Sequence, residues 1–131
     1  MKNNNDLVKE WFSKADSDIL NIENNLKSEK VPADTVCFHS KQAAEKYLKG
    51  YLSYKEIEFE FVHDMKYLID LAVTSDKKFE ELIGVVKKLD KYSVKTRYPY
   101  FYTPTLEEAK ESYEMAVKVK DFVLGLLKGK L

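Results

Sequence analysis

The sequence predicts an all-α protein, an up-and-down bundle of about five helices, and three observations carry that prediction. Apolar residues recur at spacings of three and four along five separate segments, the period of one helix face. Pro32, Pro99 and Pro104 fall between those segments, where proline is tolerated, rather than inside them. A single short run, EIEFEF from Glu56, alternates with period two, and no second run of comparable quality exists to pair with it.

The elements follow in order. Val8, Phe12, Ala15, Ile19, Ile22 and Leu26 form one stripe of a first helix from about Leu7 to Ser28. Pro32 suits a helix start, so the second helix begins there and runs to about Lys55. It buries Val36, Ser40, Ala43, Ala44, Tyr47, Leu48 and Tyr51, and its small residues Ser40, Ala43 and Ala44 let a neighbour approach closely, which makes it the central helix. The EIEFEF run is read as an extended connector that tucks Ile57, Phe59 and Phe61 onto the bundle, because an isolated strand satisfies none of its backbone groups. A short third helix opens at His63-Asp64, with Asp as a cap, and turns Met65, Leu68, Ile69 and Ala72 inward. The fourth, about Lys77 to Ser93, uses Phe79, Leu82, Ile83, Val86 and Leu89. Thr105 with Glu108 three residues on is a capping box, so the last helix starts at Leu106 and runs to about Lys128. Its stripe is Ala109, Tyr113, Ala116, Val119, Val123 and Leu127.

Length and composition narrow the function. A chain of 131 residues is one domain, residues 1–131, large enough to bury a core without disulfides or metal. Lys+Arg and Asp+Glu balance at 22 each, which argues against gripping long nucleic acid through a strong positive field, so RNA is the less favoured partner. One cysteine and two histidines make no usual zinc cluster, and a lone Cys37 forms no intrachain disulfide, so a cytoplasmic protein is expected. The first residues carry no apolar signal core, and no run of roughly 18 apolar residues is present to span a bilayer.

Two places offer chemistry. On the second helix, at about 100° per residue, His39, Gln42, Lys46 and Lys49 fall within one quadrant, with His39 and Lys46 nearest the buried edge. Such a strip suits phosphate and a base edge; it is equally an ordinary solvated face on which Glu45 and Lys49 pair at i,i+4. The loop TRYPYFYTP is the sharper candidate. Arg97 offers a planar fork for phosphate oxygens, and Tyr98, Tyr100, Phe101 and Tyr102 offer rings for a nucleobase. The competing reading makes the rings a plug over the bundle end, with Arg97 on helix carbonyls. Neither His39 nor His63 has a carboxylate fixed beside it in sequence, so neither is read as a general base. Cys37 reads as a buried small hydrophobe, and Trp11, Tyr47 and Tyr51 as packing residues.

The stretch Cys37 to Leu52, CFHSKQAAEKYLKGYL, is followed by His63-Asp64, Tyr92 and Arg97-Tyr98-Pro99, and preceded by Trp11, Ala15 and Asp18 in a W-x-x-x-A-x-x-D pattern. In that order and spacing the chain resembles a HEPN domain. The resemblance implies an all-helical, commonly dimeric protein of one of two kinds. One is a metal-independent ribonuclease, often a toxin of a toxin–antitoxin pair, with an Arg followed after four to six residues by a His. The other binds nucleotides as companion to a separately encoded minimal nucleotidyltransferase. Here Arg97 matches the Arg, but Tyr102, Thr103 and Pro104 occupy the places of the His. Tyrosine, with an ordinary pKa of about 10, is a poor group for moving the protons of RNA cleavage.

The expectation is therefore a non-nuclease, nucleotide-binding homodimer with no catalytic residue of its own, no metal and no required cofactor. A nucleoside triphosphate is its ligand, held by His39, Gln42, Lys46, Lys49, Arg97, Tyr98 and Tyr102. A ribonuclease with an altered site and a purely structural oligomerisation module stand as alternatives.

Overall fold

The structure is a computed structural model that describes residues 4–92, 98, 100 and 102–131. Among the described residues five α-helices make the bundle: α1 (Asn4–Leu26), α2 (Ala33–Tyr54), α3 (Met65–Ser75), α4 (Ile83–Leu89) and α5 (Leu106–Leu126), with a 3-10 segment, Lys77–Leu82, leading into α4. Among the described residues there is no strand, as the all-α reading expects.

Helix α2 is central, packed by α1 on one side, α5 on another and α3 near its C-terminal half. All seven residues assigned to its core face are buried. Small side chains let α5 come close: Ser112 Oγ donates to Ser40 Oγ at 3.0 Å across the interface, flanked by the buried alanines 43, 44, 109 and 116. On the α1 side a Cβ built on Gly50 would lie 2.4 Å from Phe12 Cε1, so only glycine lets that ring seat against the helix. Phe12 in turn packs on Tyr47 with ring centroids 6.1 Å apart.

Helix ends follow the local chemistry. Asp64 caps α3 by accepting from the amides of Lys66 and Tyr67, and Thr105 with Glu108 forms the reciprocal capping box of α5. α2 closes with Glu56 at φ 57°, its amide on Ser53 O and that of Ile57 on Leu52 O at 2.9 Å. That pair of bonds is a Schellman closure, a place glycine usually fills.

Three expectations are corrected. The segment from Lys77 is not one α-helix: Asp76, at φ −151°, breaks the chain after Ser75 and caps Lys78, and the next six residues wind as 3-10 before α4. Ile83 is consequently 39% exposed, and α4 ends at Leu89; Ser93, the expected end, lies outside the described residues. Phe61 does not tuck in. Ile57 and Phe59 pack against the core, but the Val62 amide bonds Glu60 O at 2.8 Å, a three-residue turn that reverses the alternation and leaves Phe61 94% exposed.

Candidate functional site

The strip on α2 is not a free solvated face. Asp18, 8% exposed on α1, accepts from His39 Nδ1 at 2.9 Å and from Lys46 Nζ at 2.7 Å. Both donors are only about a quarter exposed, which agrees with their expected place at the buried edge. Lys46 spends one of three ammonium donors on Asp18 and keeps two. Gln42, between them, is half-buried. Lys49 departs from the strip: it is 4% exposed, pairs with Glu45 at 3.0 Å and lies 5.5 Å from the Trp11 ring centroid, covered by α1. The i,i+4 pair foreseen for it exists, but as a buried pair. Next to His39 the Phe38 ring packs edge-on at 5.5 Å.

Neither histidine lacks a carboxylate, which corrects the sequence reading. His63 Nδ1 meets Glu45 Oε2 at 2.9 Å, as His39 meets Asp18. In both pairs it is the imidazole Nδ1 that faces the carboxylate oxygen. The pairing of Asp18 and Glu45 with the histidines was not foreseen because each imidazole meets its acid from another element. One signal was available: Asp18 lies between Ala15, Ile19 and Ile22 on the apolar stripe, where an acid needs a buried donor.

At the end of the bundle, Asp90 accepts from the Met65 amide at 3.4 Å and lies 3.5 Å from Lys41 Nζ, tying the close of α4 to α3 and α2. Lys91 Nζ stands 5.2 Å from the Tyr92 ring and 5.7 Å from the Tyr102 ring, and 3.6 Å from Glu108. Tyr92 OH donates to Glu108 at 3.2 Å, and burial, ahead of the nearby acids, raises its pKa well above the ordinary tyrosine value. Burial likewise pushes the Cys37 thiol up, in keeping with a small buried core residue. Tyr98, Tyr100 and Tyr102 are 55%, 94% and 46% exposed, so these three rings face solvent rather than plugging the core. Arg97, Pro99 and Phe101 lie outside the described residues.

The described contacts join His39 and Lys46 through Asp18, and Tyr102 to Lys91, with Lys49 apart from both groups. Chemically the first group offers an oriented imidazole and a half-shielded ammonium; the second offers exposed rings beside a cation. Among the described residues no set of His, Cys, Asp and Glu is arranged to hold a metal ion, and no helix is long and apolar enough to cross a membrane.

A helical bundle whose central helix carries a carboxylate-held His and Lys, with an aromatic loop between the last two helices, defines a class that comparison makes specific. The family model for the HEPN domain matches residues 8–126, and the chain belongs to the HEPN family. Among solved structures it is similar to the crystal structure of an archaeal HEPN homologue, at 25% identity and a TM-score of 0.73, covering 97% of this chain and 99% of that one. No curated protein matches the chain.

Proposed function

We propose that this protein is a nucleotide-binding HEPN subunit that acts as a homodimer beside a minimal nucleotidyltransferase and is not catalytic alone. The observation that supports the reading best is the exposure of Tyr98, Tyr100 and Tyr102 on the loop that carries Arg97, with the Lys91 ammonium beside Tyr102. Rings in solvent next to cations are what a base and its phosphates require. In this reading Arg97 and Lys46 contact phosphate, Tyr98 or Tyr102 stacks on the base, and His39 and Gln42 supply hydrogen bonds. Buried Lys49 acts on the fold and not on the ligand.

A ribonuclease with an altered site is the second reading, and one observation favours it: both imidazoles are held by carboxylates, an arrangement that suits proton transfer. Calorimetry with ATP and an RNA cleavage assay separate the two. Because a charge-assisted hydrogen bond contributes about 1.5–3 kcal/mol, Arg97→Ala weakens ATP binding by roughly ten- to a hundredfold, while RNA stays intact. Equal affinity in the variant removes Arg97 from the site. Metal-independent cleavage that Arg97→Ala abolishes selects the ribonuclease.

A further inference from the structure

A groove opens between the first turns of α1 and the connector that follows α2. Leu7 and Trp11 form its helix wall, Ile57 and Phe59 its connector wall, and the Trp11 and Phe59 rings meet across it with centroids 6.3 Å apart. Its apolar surface stays open: Leu7 is 42% exposed, and Phe61, at the mouth, 94%. The charge is of one sign. Among the described residues Glu56 and Glu58 line the groove, and no lysine or arginine does; exposed Glu60 follows directly along the connector.

The connector backbone is only half engaged. The Ile57 amide donates to Leu52 O at 2.9 Å and the Glu60 amide to Tyr67 OH at 3.1 Å. Between them, among the described residues, the amides of Glu58 and Phe59 make no hydrogen bond. Exposure alternates along the same stretch, Ile57 and Phe59 half-buried, Glu58 and Glu60 open to solvent. A segment that alternates in this way and keeps free backbone groups is a strand edge without its partner strand.

The chemistry of that partner follows from strand geometry. Residues paired across two strands lie on one face. A strand laid along the connector sets the residues opposite Ile57 and Phe59 toward the apolar groove, and those opposite Glu58 and Glu60 beside two carboxylates. The first set is therefore apolar and the second basic. A second copy of the connector does not fit, because pairing like with like brings glutamates together.

We propose that residues 57–60 and the groove beside them bind an extended segment of a partner protein in which apolar residues alternate with lysine or arginine, added as a strand. Trp11 is the single tryptophan of the chain and lies in the groove, so its emission reports occupancy. The probe is a capped seven-residue peptide alternating lysine and valine. Its controls are the same peptide with glutamate for lysine, and two N-methylated forms, one blocked at the lysine amides and one at the valine amides, since alternate amides of a strand face opposite edges. The lysine peptide shifts the Trp11 emission saturably, and the glutamate peptide does not. One methylated form loses binding and the other keeps it. The double variant Glu58→Lys, Glu60→Lys unfolds at the wild-type temperature, because both side chains are exposed, yet binds the lysine peptide roughly tenfold more weakly.

No emission change with the lysine peptide overturns the proposal, as does equal binding of the glutamate peptide or undiminished binding to the double variant, either of which reduces the groove to a nonspecific apolar patch. Two methylated forms that both bind like the parent remove the strand pairing and overturn it as well. If light scattering shows a dimer that Phe61→Ala converts to a monomer, a second copy holds the groove and the proposal falls.

Discussion

Replacing Glu45 by Gln separates a buried ion pair from the surface pairs that dominate most charged helices. The glutamine keeps the shape and one acceptor oxygen but removes the charge that faces Lys49 at 3.0 Å, where the two side chains are only 2% and 5% exposed. Removing one partner of a buried pair leaves the other charge without compensation and costs about 3–5 kcal/mol. The Trp11 face, 5.5 Å from Lys49 Nζ, is there before and after the substitution and leaves that difference unchanged. For a domain of this size a loss of about 3–5 kcal/mol lowers the melting temperature by roughly 10–18 °C. Lys66 and Asp70 supply the control, an i,i+4 pair of similar geometry at 3.1 Å but 77% and 57% exposed. Lys66→Ala there costs roughly 0.3–0.5 kcal/mol. Urea unfolding of both variants, and of Glu45→Gln combined with Lys49→Met, decides the matter. The double variant recovers most of the loss because no buried charge remains. A single-variant cost no larger than that of Lys66→Ala, or a double variant as unstable as the single, refutes the reasoning.

Two further outcomes follow from the backbone and the tyrosines. Glu56→Gly removes the penalty of a left-handed non-glycine residue, about 1–2 kcal/mol, against a glycine entropy cost of about 0.4–1 kcal/mol. Stability therefore rises by roughly 0.5–1 kcal/mol, and a drop in the urea midpoint would contradict the Schellman closure at φ 57°. Stability also declines in alkali. Tyr47 and Tyr92 have raised pKa values, chiefly from burial, and Tyr113 is pushed up to about 12, first by its hydrogen bond to Glu23. The folded state holds these protons more tightly than the unfolded chain, whose tyrosines titrate near 10. Their contribution is full below about pH 10 and is lost as pH rises through the folded values. Tyrosinate absorbance in native and urea-unfolded protein measures it; a native titration that coincides with the unfolded one would sink the argument.

The helices were legible in the sequence because their causes are local. Periodicity marked every buried residue named for α2, and a four-residue box placed the start of α5 at Leu106. Where the sequence misled, the competing cause was also local but finer than periodicity. Asp76, capping the amide of Lys78 two residues on, turned the start of the fourth helix into 3-10 winding, and a three-residue turn expelled Phe61 from an otherwise regular alternation. The site was harder to read. His39, Gln42 and Lys46 could be grouped as candidates because one helix carries them, whereas Asp18 and Glu45 meet their imidazoles from 21 and 18 residues away in sequence. Lys49 fell on the right arc of the wheel, but the wheel contains no neighbours, and Trp11 of α1 lies over it. Its burial follows from how two helices dock, which spacing within one helix does not encode.

The anchoring of the loop between α4 and α5 separates what it carries from what holds the protein up. On one side Asp90 is fastened to Lys41, and on the other Ser112 is fastened to Ser40, so both ends of the crossing are referred to neighbouring positions on α2. Closing a loop between fixed ends costs entropy that grows only logarithmically with its length. The exposed rings of Tyr98, Tyr100 and Tyr102 between those anchors are thus open to replacement at little expense to the bundle, whereas Tyr92 and Ala109 are part of its core. A lineage can vary those exposed side chains while α2 keeps the frame.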